Sequence, residues 1–296
     1  MNVQDKFQLV VYDGDFHLPS LDVECLKSIL YTTIAAVPVQ VRVLNSVKQC
    51  AFHSAPSFVH KNLQFRTFND AVLYLRTLNY NLDSKLTAKQ SSECLAITNL
   101  VLSKLKPVLE FCYWLDQRNC EEFTNIWFMK ALPFPFNFVH TRRFRERALD
   151  LIETLHPTET NLDCIKEHLQ MTATDCLSHL STRLGSSDYF YGSSPTSLDV
   201  VVYSYVAPLM KIPFPSNEFA GVLSMWPNLT SFVKRIDAAY FPNLPRGSKY
   251  LKLEEKPKTS DDEVSYVAIL ILTVSATSLA LGFAFSRGFI TSKFLR

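Results

Sequence analysis

Two same-face pairs of soft metal ligands stand on one stretch of the sequence, Cys164-x3-His168 and Cys176-x2-His179. Brought together, their sulfur and nitrogen atoms would complete a tetrahedral zinc site. The same pairs lie in an amphipathic helical region, where Cys is commonly a small core residue and His a half-exposed one. Structural zinc motifs draw their ligands largely from loops, so the core reading is preferred and neither metal nor cofactor is expected. A second concentration of chemistry is Arg142, Arg143, Arg145 and Arg147 in the run TRRFRERALDLIE. Four arginines at the start of a helix oppose its dipole. They read either as a solvated face paired with Glu146 and Asp150, or as a contact for membrane phosphates or an acidic partner. Thr196 and Asp199, in SSPTSLDVVVYSYV, have Ser/Thr-x-x-Asp spacing directly before an apolar helix. In such a capping box each side chain satisfies an orphan amide at the helix start, so the pair is structural rather than catalytic. Asn228-Leu229-Thr230 has the form of a glycosylation acceptor and reads as a chance match in a cytosolic domain.

These residues are carried by a chain of 296 residues, enough for one large domain or two smaller ones. The net charge is +2 and charged residues make up 20%, with no Lys/Arg-dense block interleaved with aromatics, so no nucleic-acid partner is expected. Seven cysteines (25, 50, 94, 112, 120, 164, 176) form no CxxC pair and their number is odd, which fits reduced, mostly buried thiols. The opening MNVQDKFQLVVYDGDF has neither the basic and apolar regions of a secretory signal nor the Arg/Ser-rich pattern of a mitochondrial presequence. Synthesis is therefore expected to finish in the cytosol.

Val264 to Phe285 carries no formal charge. As a helix it would rise about 33 Å, enough to cross a hydrocarbon core of about 30 Å. Its Ser and Thr are scattered and it has no charged stripe, so a membrane span is expected, with Val264, Tyr266, Ile269, Leu272, Leu279 and Phe285 among its anchoring side chains. Arg287, Lys293 and Arg296 follow in a basic end, 286–296. A short, moderately apolar C-terminal span with a basic end resembles the tail anchors of the mitochondrial outer membrane, with those three cations as the targeting flank. Upstream, LKLEEKPKTSDDE has little to bury, and 244–263 reads as a charged linker.

The elements that must position all this follow from periodicity. Leu9-Val10-Val11-Tyr12 is an unbroken apolar run suited to a central strand. Ser20 is a candidate N-cap for a helix reaching about Val37, with Leu21, Cys25, Ile29 and Thr32 on one face. Val39, Val41 and Val43 alternate with polar residues as a second strand, completing a βαβ unit with a parallel pair. Pro56–Val59, a Lys61-Asn62 turn and Leu63–Phe65 form a hairpin, followed by a helix over about 68–78. From about Leu86 to Tyr240 only helices are expected. One is long, with Leu95, Leu102, Leu105, Leu109 and Cys112 on a face and Pro107 as a candidate kink. Others are expected at about 140–156, 159–184, 196–211 and 222–239, after an interruption at KALPFPFNF.

A thioredoxin-like α/β domain (1–80) followed by an all-α domain (81–243) resembles the glutathione transferase fold. In that fold a proline, often cis-bonded, stands just before the third strand, and Pro56 holds that place. The resemblance also implies a Tyr, Ser or Cys near the end of the first strand to stabilise a thiolate, for which Tyr12 and Ser20 are the candidates. It implies an acidic residue followed by Ser after the fourth strand, to hold the amino-acid end of glutathione. There the sequence reads Phe65-Arg66-Thr67-Phe68-Asn69-Asp70, without that pair. Tyr12 therefore reads as a strand residue and Ser20 as a cap, and no enzyme is expected.

Three stretches, LRTLNYNLDSKL (75–86), CYWLDQRNCEEFTNIWFMKALPFPFNF (112–138) and LSTRLGSSDYFYGSSPTSLDVVVYSYVAPLM (180–210), are similar to the metaxin family, of the metaxin-1/metaxin-3 type. That resemblance implies a non-enzymatic protein of the mitochondrial outer membrane, facing the cytosol. It implies work with the sorting and assembly machinery that inserts β-barrel precursors. The partners it implies are a metaxin-2-like protein, the β-barrel insertase and the cristae-organising complex. Attachment of mitochondria to a kinesin adaptor is the alternative role; a membrane-anchored glutathione-dependent enzyme is the third, disfavoured by the missing acidic-Ser pair.

Overall fold

The computed structural model describes residues 6–251. They belong to the first of two units into which the chain divides, Met1–Lys252 and Leu253–Arg296. The expected span Val264–Phe285 and its basic flank lie outside the described residues. Among the described residues, no helix is long and apolar enough to cross a membrane.

The first elements are β1 (Phe7–Val11), α1 (Val23–Ile34), β2 (Val39–Val43), α2 (Val47–Phe52), β3 (Ser57–His60), β4 (Leu63–Phe65) and α3 (Phe68–Thr77). The sheet order is β2-β1-β3-β4, with β1 parallel to β2 and antiparallel to β3. Leu9 lies opposite both Val41 and Phe58, so the apolar run of β1 sits in the middle of the sheet and is almost wholly buried. At the edge, β2 has one ladder partner, and Val41 remains 44% exposed.

The first helix is shorter than its pattern suggested. Its N-cap is Asp22, in extended backbone, whose carboxylate accepts from the Cys25 amide at 2.8 Å. Ser20 is fully buried and instead accepts from the Asp22 amide at 3.3 Å, bracing the turn that precedes the helix. The helix ends before Val37 because Ala36 takes φ +52°, which breaks the helical run. The short α2, capped by Ser46, was not expected; six residues are too few to show a period.

Helices then follow: α4 (Ala88–Trp114), α5 (Gln117–Asn119), a π-turn at Cys120–Thr124, α6 (Asn125–Ala131), α7 (Phe136–Leu155), α8 (Leu162–Leu184), α9 (Ser197–Lys211), α10 (Glu218–Leu223) and α11 (Pro227–Tyr240). Helix α4 opens on a Thr87/Gln90 capping box and runs on through Pro107. It packs on α7, α8 and α9, while α9 also packs on α1, so one continuous core joins the sheet part to the helical part. Helix α7 starts four residues earlier than its pattern, since a first helical turn needs no amide from Pro135, whose carbonyl accepts from Val139 (3.4 Å). The expected helix at 222–239 is two, α10 and α11, with Pro227 at the first position of the second. The boundary expected at 243 also moves: residues 244–251 are bonded into the first unit rather than forming linker.

Candidate functional site

In a transferase-like arrangement the chemistry belongs where β1 ends and α1 begins. Tyr12 directly follows β1, and its hydroxyl lies 2.8 Å from His140 Nδ1 on α7, amid the rings of Phe128 and Phe144. Burial, reinforced by Asp22, pushes the Tyr12 phenol far above its ordinary 10. Burial and the nearby Arg143 and Arg147 hold His140 below 6.5, so this is a neutral, internally satisfied pair.

Asp13-Gly14-Asp15 then turns the chain. A Cβ on Gly14 would fall 2.2 Å from the Leu18 carbonyl oxygen and 2.4 Å from Pro19, so only glycine fits. Asp15 is 1% exposed, and a carboxylate so buried must be saturated with donors. It accepts from Trp127 Nε1 (2.9 Å), Ser248 Oγ (2.6 Å) and the Lys249 amide (2.9 Å). Asp13 accepts from the Tyr250 hydroxyl (2.6 Å), Lys249 Nζ (3.0 Å) and the Gly14 amide (2.8 Å). Burial would raise its carboxyl, but those donors together hold it below its ordinary 3.8. His17 Nδ1 donates to the Leu244 carbonyl (2.7 Å), and its amide donates to that of Pro245 (2.9 Å). The post-β1 loop is thus covered by residues 244–250 of the same chain.

The other positions of the transferase pattern lie at β3 and α3. The Ala55–Pro56 bond is cis, directly before β3. Thr67 caps α3, accepting from the Asp70 amide (3.2 Å) and donating to Asp70 Oδ2 (2.7 Å), while Arg66 is exposed. Between the start of α1 and helices α4, α6, α7 and α9 lies a cavity of ≈ 180 Å³, lined by Asp22, Glu110, Trp114, Phe128, Phe144 and Arg147 among others. Ligand sites of drug-sized molecules run from roughly 300 to 1,000 Å³. Burial, with Asp22 nearby, pushes the Glu110 carboxyl up to about 7, against the pull of Lys106 and Arg147.

Elsewhere, Asp199 is fully buried at the start of α9. It accepts from both the amide and the hydroxyl of Thr196 (2.7 Å each) and from the Phe190 amide (3.0 Å), and burial still pushes it up to about 6. Of the cysteine–histidine pairs, Cys164 is exposed while Cys176 is buried with its thiol pushed up to about 12 by desolvation. Among the described residues no group of three or more His, Cys, Asp or Glu could hold a metal. Asn228 bonds to Ser181 and Gly185. The four arginines of α7 are exposed, and Arg142 pairs with Glu146 at 2.8 Å. Sequence reasoning missed the Asp13/Asp15 clamp altogether. Its only signal was two carboxylates flanking a glycine directly after a buried strand.

Comparison with known proteins decides the family. A family model described as an outer mitochondrial membrane transport complex protein matches residues 25–145, and a glutathione S-transferase C-terminal domain model matches 173–236. Metaxin-1 of Macaca fascicularis is 32% identical over 239 residues, covering 79% of this chain and 75% of the relative. The chain belongs to the metaxin family. Metaxin-3 of Danio rerio, 30% identical and covering 80% and 76%, is similar to nearly the same degree, so both metaxin types are relatives. A glutathione S-transferase of Ceriporiopsis subvermispora solved with glutathione superposes with a TM-score of 0.53 at 14% identity, covering 80% of this metaxin and 100% of that chain. That likeness establishes the transferase-like fold of the metaxin.

Proposed function

We propose that this metaxin is a non-enzymatic subunit of the outer mitochondrial membrane machinery that imports proteins and inserts β-barrel precursors. The coarser part, mitochondrial protein import at the outer membrane, is supported by the metaxin relatives and the transport-complex family model. The non-enzymatic part is supported by one observation above all: the loop after β1, where a transferase presents its thiolate-stabilising group, is covered by residues 244–250 through Asp13 and Asp15. The small cavity at the start of α1 and the Arg66-Thr67 sequence after β4 point the same way. In this reading Val264–Phe285 is the tail anchor, the described domain faces the cytosol, and a metaxin-2-like protein and the β-barrel insertase are its partners.

Affinity purification from mild-detergent mitochondrial extracts tests it. The insertase and a metaxin-2-like chain should co-elute, and depletion should slow assembly of newly imported β-barrels. Recovery of a kinesin adaptor with normal β-barrel assembly would favour the transport role instead. Calorimetry should give no saturable glutathione binding at millimolar ligand; a micromolar isotherm with turnover of an electrophile would sink the non-enzymatic reading.

A further inference from the structure

The α6–α7 surface has no role in the site described above. Ile126, Met129, Phe134, Phe138 and Val139 are exposed there, Phe134 at 68% and Phe138 at 52%. The Phe134 ring stands edge-on to Phe138 at 6.1 Å. Ile126, Met129 and Phe138 line a shallow depression of ≈ 690 Å³ whose remaining lining includes Lys130, Arg142 and Arg145 and no carboxylate. An exposed apolar patch rimmed by polar residues marks an interaction surface, and at this rim Arg142 also pairs with Glu146 while Lys130 and Arg145 add positive charge.

The described chain leaves the fold beside it. Lys130 Nζ donates to the Tyr250 carbonyl (3.0 Å), and the Tyr250 ring meets Trp127 of α6 edge-on at 5.3 Å. In sequence, residues 252–263 then lead to the uncharged run Val264–Phe285.

We propose that this face docks on the anionic headgroups of a phospholipid bilayer. Phe134 and Phe138 enter the headgroup layer while Lys130, Arg142 and Arg145 meet lipid phosphates. The proposal rests on the reading of Val264–Phe285 as a membrane anchor and adds a second, composition-dependent attachment to it. A fully extended chain covers at most about 3.6 Å per residue, so residues 252–263 hold the exit point within roughly 45 Å of the anchor's start. A short tether raises the local concentration of the tethered surface to the millimolar range. A patch of three cations and two aromatic rings, too weak to bind a membrane alone, is sufficient under that condition. Its attraction fades beyond a Debye length, about 10 Å at 0.1 M salt, so contact depends on anionic lipid and on ionic strength. An acidic protein surface would match the cations as well; the exit of the chain beside this face toward the run Val264–Phe285 favours the bilayer.

The test uses the full-length protein reconstituted into phosphatidylcholine vesicles with and without phosphatidylserine, first floated to establish anchoring and then footprinted with hydroxyl radicals. Oxidation of Met129, Phe134 and Phe138 should fall several-fold in the phosphatidylserine vesicles at low salt and recover at high salt. Met171 and Met225, 70% and 66% exposed and outside this patch, should be oxidised equally in both. Arg142→Ser with Arg145→Ser should float as before and lose the protection. Equal oxidation in both vesicle types overturns the docking face while leaving the anchor intact. Protection that appears only on adding an acidic polypeptide such as polyglutamate overturns it as well. Failure to float in either vesicle overturns the anchor reading, and this proposal with it.

Discussion

At the residue scale, buried carboxylates decide which substitutions are costly. Loss of an N-cap costs about 0.5–2 kcal/mol, so Thr196→Ala should weaken the fold by that order. Asp199→Ala should cost more, because it strands the buried Thr196 and Phe190 amides together, at about 1–3 kcal/mol each. Urea melts of the two variants check the order, and equal midpoints would mean that Asp199 is not the hub. The spacing of Thr196 and Asp199 is readable in the sequence, whereas the Phe190 amide becomes a partner only through the loop before α9. Glu110 gives a pH signature. Its carboxyl, ordinarily at 4.5, is raised to about 7 in the fold, so the native state holds the proton to higher pH than the unfolded chain does. That contribution is fully present below pH 4.5 and is lost as pH climbs through about 7. Glu110→Gln should therefore match the parent near pH 4.5 and be the more stable protein at pH 8, by on the order of 1–2 kcal/mol. Parallel thermal melts across pH would show the two curves diverging; curves that stay parallel refute the raised carboxyl.

At the scale of elements, α9 and α11 are joined by Lys211, whose ammonium donates to Asp237 Oδ1 (2.6 Å), the Tyr203 hydroxyl (3.1 Å) and the His17 carbonyl (3.0 Å). Burial lowers the Lys211 pKa despite Asp237. Removing one partner of such a pair leaves the other charge buried and costs about 3–5 kcal/mol. Lys211→Met should therefore be severely destabilising, while Lys211→Met with Asp237→Leu should cost far less than the two single changes summed. A double-mutant cycle in urea decides it, and simple additivity would show the pair to be uncoupled. The elements legible in the sequence were those with length or period: the apolar β1, the hairpin after Pro56, and the long α4, α8 and α9. Elements of three to seven residues, α2, α5, α6 and α10, are too short to establish a period. Helix α1 was misplaced at its start because Ser20 and Asp22 both have capping chemistry, and only the backbone at Asp22 decides between them. Residues 244–251 looked like linker because their attachment is polar and joins positions more than 230 apart, which no local pattern can show.

For the whole molecule, the proposed tail anchor makes two predictions. Deleting 264–296 should release a folded protein to the cytosol, since the described residues 6–251 build a continuous core among themselves. Replacing Arg287, Lys293 and Arg296 by Ser should keep it on membranes but divert part of it to the endoplasmic reticulum, as hydrophobic burial alone does not distinguish bilayers. Microscopy of a tagged chain reads the second. The first is overturned if the truncated chain stays with mitochondria through carbonate extraction. The clamp at the post-β1 loop also orders events during synthesis. Asp13 precedes its partners Lys249 and Tyr250 by 236 and 237 residues. Domains fold as units during translation, and contacts so distant along the chain form last. The loop therefore stays open to water until nearly all of Met1–Lys252 has left the ribosome. Asp15 then finds Ser248 and Lys249 just ahead of the emergence of the uncharged run from Val264. A nascent chain halted before residue 248 would lack the Ser248, Lys249 and Tyr250 donors to Asp13 and Asp15 and leave the Trp127 edge of α6 uncovered, and so present quality-control factors with a domain that is visibly unfinished.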